Sequence, residues 1–245
     1  GKQGFECVVL TGCEVWAVVS PCTGLLMSGP SGTKEMRRVE KLLAACVWSV
    51  SLAVLQAENK PSIAALQLGG EERITVDGRL DEAVWQRAEK GGGFRQYDPG
   101  RGTPATERTE FAMAYDRDHL YVAVWCYDSK PGGVMARSMR RDRVYTGSDF
   151  VYLFFDTFHD QRNGYVFVVN PTGAQSDGLI TNNTGRNFSW DGIWMSKASI
   201  TDEGWFVEMA IPFKTVSFDP DGTVWGFNMS RRIRRKNEAI RWTGW

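Results

Sequence analysis

Histidine and cysteine are scarce in this chain. Its 245 residues include two histidines and five cysteines. Both histidines, His119 and His159, stand in turn-like contexts, and a zinc centre wants several His or Cys ligands. No Cys-x-x-Cys-His occurs, so the covalent haem motif is excluded. Cys7, Cys13, Cys22 and Cys46 all precede Ala57. Only Cys126 follows, so the later part cannot form an internal disulfide and must rely on its core. Net charge is also missing, with 29 Lys and Arg against 29 Asp and Glu. Nucleic-acid binders usually carry a basic face, which argues against that class. The G-x-S-x-G, P-loop and G-x-G-x-x-G signatures are absent. A membrane-spanning helix needs about 20 apolar residues, and the apolar run at 42–55 is shorter.

That run has another reading. Residues 36–57 have the order of a secretory signal: Arg37, Arg38 and Lys41, then the apolar stretch, then Ala57 at a cleavage position. A lipobox-like LAAC at 43–46 has its apolar run on the wrong side of the cysteine. Residues 1–35 lack an initiator Met and a clear period, and are expected to be a non-native upstream extension. Residues 58–72 are polar and patternless, and are expected to form a linker. The expected location is therefore the periplasm or outer membrane of a Gram-negative bacterium.

What is abundant is aromatic: 12% of residues, with ten tryptophans. From residue 73 onward, period-two segments alternate with turn signals. Three hairpins are expected, at 109–127, 149–170 and 193–212, followed by strands at 224–231 and 239–245. The strand at 120–127 is apolar on both faces and is expected to be central. The whole predicts an all-β fold: an antiparallel, jelly-roll-like β-sandwich over 73–245, with one short helix after the first strand. The chain ends inside a predicted strand, so a C-terminally truncated fragment is expected.

Eight motifs occur in register: VDGRLDEAVW (76–85), ERTEFAMAYDRDHLYVAVWCYD (107–128), RRD (140–142), DFVYLFFDTF (149–158), NPTGAQSDG (170–178), WDGIW (190–194), GWFVEMAIPF (204–213) and WGFNMSRRIRR (225–235). Together they resemble carbohydrate-binding module family 9. More narrowly, they resemble the CBM9-like domain at the N-terminus of exported bacterial proteins with a C-terminal outer-membrane-barrel-like region. The resemblance implies a β-sandwich, binding of sugar chains and, in some members, structural calcium. It also implies two tryptophans that sandwich a terminal sugar. The first of those positions falls at 143–147, where Tyr145 is the aromatic residue. The family's hydrogen-bonding Glu and Arg positions fall at Tyr152 and Val168, and the second tryptophan lies past the strand matching 240–245.

The residues themselves leave alternatives open. Asp81 reads as a helix N-cap, and Trp85 as packing under the sheet, rather than as parts of a catalytic pair. A glycosidase needs two carboxylates facing across a cleft, and neighbours at a helix start diverge. Arg141 and Asp142 can meet sugar hydroxyls or simply hold their loop. Trp190, after a polar loop, is a sugar platform or a lid on the sandwich rim. Arg186 and Asn187 can add polar contacts. Glu208 on a strand requires a polar partner, with Arg231 or Arg234 the candidates. The basic run at 231–236 is an anion site or a solvated face. Calcium candidates are Asp156 and Asp160 with Asn163, or Asp116 and Asp118. The reading is a non-catalytic carbohydrate-binding module of an exported envelope protein, linked to polysaccharide binding or breakdown. The alternatives are an adaptor docking on its own membrane barrel, and the accessory part of a glycoside hydrolase.

Overall fold

The computed structural model describes residues 9–12 and 61–244. The expected signal segment at 36–57, and the expected extension apart from residues 9–12, lie outside the described residues. No described helix is long and apolar enough to cross a membrane.

Two sheets face each other. Sheet A contains β1 (Val9–Gly12), β2 (Ser62–Ala64), β5 (Arg95–Asp98), β8 (Phe150–Asp156), β9 (Gly164–Val169), β10 (Gln175–Thr181), β11 (Gly185–Asn187), β14 (Val224–Ile233) and β15 (Glu238–Arg241). Its order is β11-β10-β9-β8-β14-β1-β2, with β15 also on β14 and β5 on β15. Sheet B contains β3 (Leu66–Gln67), β4 (Lys90–Gly91), β6 (Thr109–Tyr115), β7 (His119–Tyr127), β12 (Met195–Ile200) and β13 (Gly204–Pro212). Its order is β12-β13-β7-β6-β3, with β4 on β6. Pairings are antiparallel except β1 with β14 and β3 with β6. The expected antiparallel sandwich is therefore the observed fold. Its short helix, α1 (Ala83–Arg87), follows β3.

Period-two alternation explains the layers. Phe111, Met113, Val122, Val124, Val207 and Met209 of sheet B meet Val151, Leu153, Phe155, Phe167, Phe227 and Met229 of sheet A in the inner core. The opposite face of sheet B is small and apolar, with Ala112, Ala114, Ala123 and Ala210. Small side chains leave room for a third layer. Residues 68–88 supply it through Leu68, Ile74, Leu80, Val84 and the fully buried Trp85. β7 thus has apolar faces toward two layers, as a central strand requires.

Three local expectations need correction. The N-cap position of α1 is Glu82, not Asp81, and no side chain caps it. Glu82 instead accepts the Thr75 N–H at 3.2 Å, so its carboxylate holds the chain leading into the helix. Within the expected linker, residues 62–67 run as two short strands, and Ile63, Ala65 and Leu68 are buried. The expected polar loop at 181–189 takes in the end of β10 and all of β11, which pair as a hairpin. Asn182 and Asn183, both at positive φ, turn it.

Candidate functional site

The outer face of sheet A is where chemistry reaches the surface. Inner residues Val151, Leu153 and Phe155 alternate with Phe150, Tyr152 and Phe154, which point outward. Phe154, Val166, Val168 and Ile180 form a small outer cluster. The loop at 139–148 covers one part of it, anchored by the fully buried Val144. Arg234 pins that loop from below, donating from Nη2 to the Tyr145 carbonyl at 2.9 Å and from Nε to the Ser148 carbonyl at 3.2 Å. Tyr145 is thereby set edge-on to Phe150, with centroids 5.0 Å apart, and to Phe188 at 6.3 Å.

Tyr152 lies half-buried beside this aromatic group. Its strand register runs from Val168 on one side to Ser230 on the other, and Ser230 pairs with Arg241. Arg241 stacks on Tyr97, 4.5 Å from the ring centroid. Burial pushes the Tyr152 phenol up, while the charges of Arg186 and Arg241 pull the other way. Burial likewise raises Tyr145, against the pull of Arg186. Both phenols therefore stay protonated at neutral pH; the Tyr145 hydroxyl is buried, so Tyr152 is the phenol placed to donate at this face. Phe188 and Tyr97 remain about 40% exposed. The face combines open aromatic rings, the Tyr152 phenol and guanidinium groups.

The other sequence candidates divide into two groups. Tyr145 and Arg186 are brought together on this face, with Asn187 in the adjoining strand. Asn187 is exposed, and its Oδ1 accepts the Ser189 N–H at 3.0 Å, closing the turn after β11. Arg141 and Trp190 lie on the inner side of β10. Arg141 donates to Asp177 at 2.6 Å, Asp191 at 3.1 Å, Gln175 at 3.1 Å and the Gly192 carbonyl at 3.2 Å. Trp190 packs on Tyr165 at 5.2 Å and Phe167 at 6.3 Å, closing the rim of the inner core. Asp142 is an exposed turn residue with φ of 62°, and its N–H meets the Gln175 carbonyl.

A family model for carbohydrate family 9 binding domain-like sequences matches residues 76–245. The chain belongs to that family. A solved Bacteroides uniformis protein, described as a presumptive carbohydrate binder, is 14% identical, with a TM-score of 0.57 over 74% of this chain and 88% of its own. A family 9 carbohydrate-binding module from Caldicellulosiruptor kristjanssonii, solved with glucose, is 17% identical, with a TM-score of 0.46 over 72% and 83%. The same module with cellotriose gives 17% and 0.45 over 72% and 82%. No curated protein matches.

Every sequence candidate falls inside the span of the family 9 match, which is a binding-domain family without catalytic chemistry. The acidic candidates within it serve their own turns. Asp156 accepts the Asp160 and Gln161 N–H groups at 3.1 and 2.7 Å. Asp160 accepts from Arg162 and Asn163. Asp116 accepts from Asp118, His119 and the Tyr121 hydroxyl. Among the described residues no group of three or more His, Cys, Asp or Glu is placed to hold a metal ion.

Two buried charge sites were misread or missed from sequence. Glu208 does not meet Arg231 or Arg234. It accepts from Trp85 Nε1 at 3.1 Å and from the Asp77 and Gly78 N–H groups at 3.1 and 3.4 Å. The run at 231–236 is not a solvated face. Arg231 is fully buried and donates to Thr109 Oγ1 and the Tyr127 carbonyl, both at 2.9 Å. Arg235 and Lys236 pair with Glu107 at 2.8 and 2.5 Å, and Arg235 also meets Asp128. Burial raises the Glu107 carboxyl, but bonds from Lys236, Ser129 and Arg235 outweigh it and hold it at about 2. The available signal was the placing of Glu107 just before β6 and Asp128 just after β7, the two open ends of one hairpin.

Proposed function

We propose that this segment is a non-catalytic carbohydrate-binding module whose sugar face is the outer surface of sheet A around Tyr152. The observation that carries this is a partly open aromatic face inside the family 9 match. Pyranose rings present flat C–H faces and hydroxyl edges. A ring with a polar tip, such as Tyr152, meets both kinds of surface. Arg186 and Arg241 add donors in fixed forks. Trp190 and Arg141 are spent on packing and ion pairing, so they support the frame and not the contact. The finer setting is an exported envelope protein concerned with polysaccharide binding or breakdown, at the periplasm or outer membrane.

One observation favours a second reading, an adaptor docking on its own membrane barrel. On and beside the edge strand β12, Ile193 is 84% exposed and Met195 54%. The test is a titration of the whole chain with soluble oligosaccharides, with and without calcium, alongside Tyr152→Ala. Binding that weakens at least about ten-fold in the variant supports the sugar face. Silence across the panel from a folded protein favours the adaptor.

A further inference from the structure

We propose that the sheet A face selects an anionic oligosaccharide, one carrying carboxylate or sulfate groups, over a neutral one. This rests on the reading of that face as the sugar site. The argument is an inventory of charge. Arg186 is exposed and its side chain, among the described residues, makes no hydrogen bond or ion pair. Arg241 gives one donor to the Gly244 carbonyl at 3.0 Å and stacks on Tyr97, with no carboxylate partner among the described residues. Arg232, the next outward arginine, is matched by Asp98 at 3.1 Å. Asp142 is the acid that faces Tyr145. The Tyr152 phenol feels Arg186 and Arg241, and no acid is among its charged neighbours.

The two uncompensated guanidinium groups flank Tyr152 from opposite sides. Arg241 stands two strands away through β14, and Arg186 three strands away through β9 and β10. Five strand spacings separate them, about 24 Å at the backbone. A monosaccharide is too short to meet both. A chain of several acidic sugars can lay its rings on Tyr152 and Phe188 and its anions on the two forks, which suit carboxylate and sulfate geometry. A neutral chain would leave both arginines solvated and gain nothing from them.

The experiment uses the whole chain with three hexasaccharides: oligogalacturonate, a sulfated chondroitin fragment and cellohexaose. Each is titrated against wild type, Tyr152→Ala, Arg186→Gln and Arg241→Gln, with thermal melts confirming the fold. At least one acidic hexamer is expected to bind roughly ten-fold tighter than cellohexaose. Each arginine variant should lose roughly ten-fold for the acidic chain and little for cellohexaose. Cellohexaose bound as tightly as both acidic chains overturns the anionic proposal and leaves the carbohydrate reading standing. Acidic binding that ignores both arginine variants, or ignores Tyr152→Ala, also overturns it. Silence to all three from a folded protein overturns the carbohydrate reading and this inference together.

Discussion

Glu208→Gln tests whether the covering layer of sheet B is held by a titrating carboxylate. Glu208 is fully buried on β13 and faces three donors: Trp85 Nε1 and the Asp77 and Gly78 N–H groups. Burial pushes its carboxyl up; the Trp85 bond opposes this, and the nearby Glu82 charge adds to it. The result is a rise from 4.5 to about 7. The folded state then holds a proton that the unfolded chain has already released. Stability is fully supported below pH 4.5 and is lost as pH rises through about 7. That interval, at about 1.4 kcal/mol per pH unit, gives a fall of roughly 3 kcal/mol. Glutamine does not titrate, so the variant should lack this component of the slope. The assay is urea unfolding of wild type and variant at steps from pH 4.5 to 8, read by Trp fluorescence. The difference between the two stability curves isolates residue 208, because the other titrating groups are common to both. Parallel curves across that range would refute the reasoning.

Two further substitutions test the frame and not the ligand. Trp190→Ala and Arg141→Ala should each destabilise by roughly 1–3 kcal/mol in denaturant titrations. The first removes a ring packed on Tyr165 and Phe167, and the second leaves the buried Asp177 without its cation. Either variant, while folded, should keep its sugar affinity; a selective loss of affinity at Trp190 would return that ring to the site. Gly204→Ala should be the more severe change, about 3 kcal/mol or more by thermal melting. Gly204 has φ of 145°, and an added Cβ would collide with the Cys126 carbonyl on β7.

The sandwich was legible because its strands obey a simple period. β6, β7, β8, β13 and β14 alternate apolar residues or are apolar on both faces, and their hairpins close on recognisable turns. β10 was not legible for the opposite reason. Gln175, Ser176, Asp177 and Gly178 carry no strand signal, since a polar run has no intrinsic drive to be buried. Ser176, Asp177 and Gly178 are nonetheless buried, and a distant segment supplies partners for the strand's polar side chains: Arg141 meets Gln175 and Asp177. Trp190 stayed open between platform and rim lid on similar grounds. A ring after a polar loop can turn either way, and here Asp177 accepts the Gly192 N–H at 2.5 Å, drawing the chain inward so that the ring lands on the core rim. Tyr145 and Arg186 were named from sequence, but Tyr152 was seen only as a departure from the family's pattern. Its outward direction, and the approach of Arg241 and Tyr97 to it, depend on the β14–β15–β5 pairing that local sequence does not reveal.

The layers themselves then argue for where a ligand can sit. The inner core is closed by interdigitated rings, and the outer face of sheet B is occupied by residues 68–88 with Trp85 and Glu208 at their centre. A binding surface built on the strands must therefore use the outer face of sheet A. There, among the described residues, the loop at 139–148 covers part of the face, and the basic run at 231–236 anchors it. Arg234 fixes the carbonyls of Tyr145 and Ser148, Asp149 accepts the Arg234 N–H at 2.7 Å, and Arg235 and Lys236 lock the adjacent end to Glu107. These charges are consumed internally, so the run that looks most like an anion site in sequence is the one that cannot be. With that run consumed, Arg186 and Arg241, which both act on the Tyr152 phenol, are the guanidinium groups beside it without a carboxylate partner among the described residues.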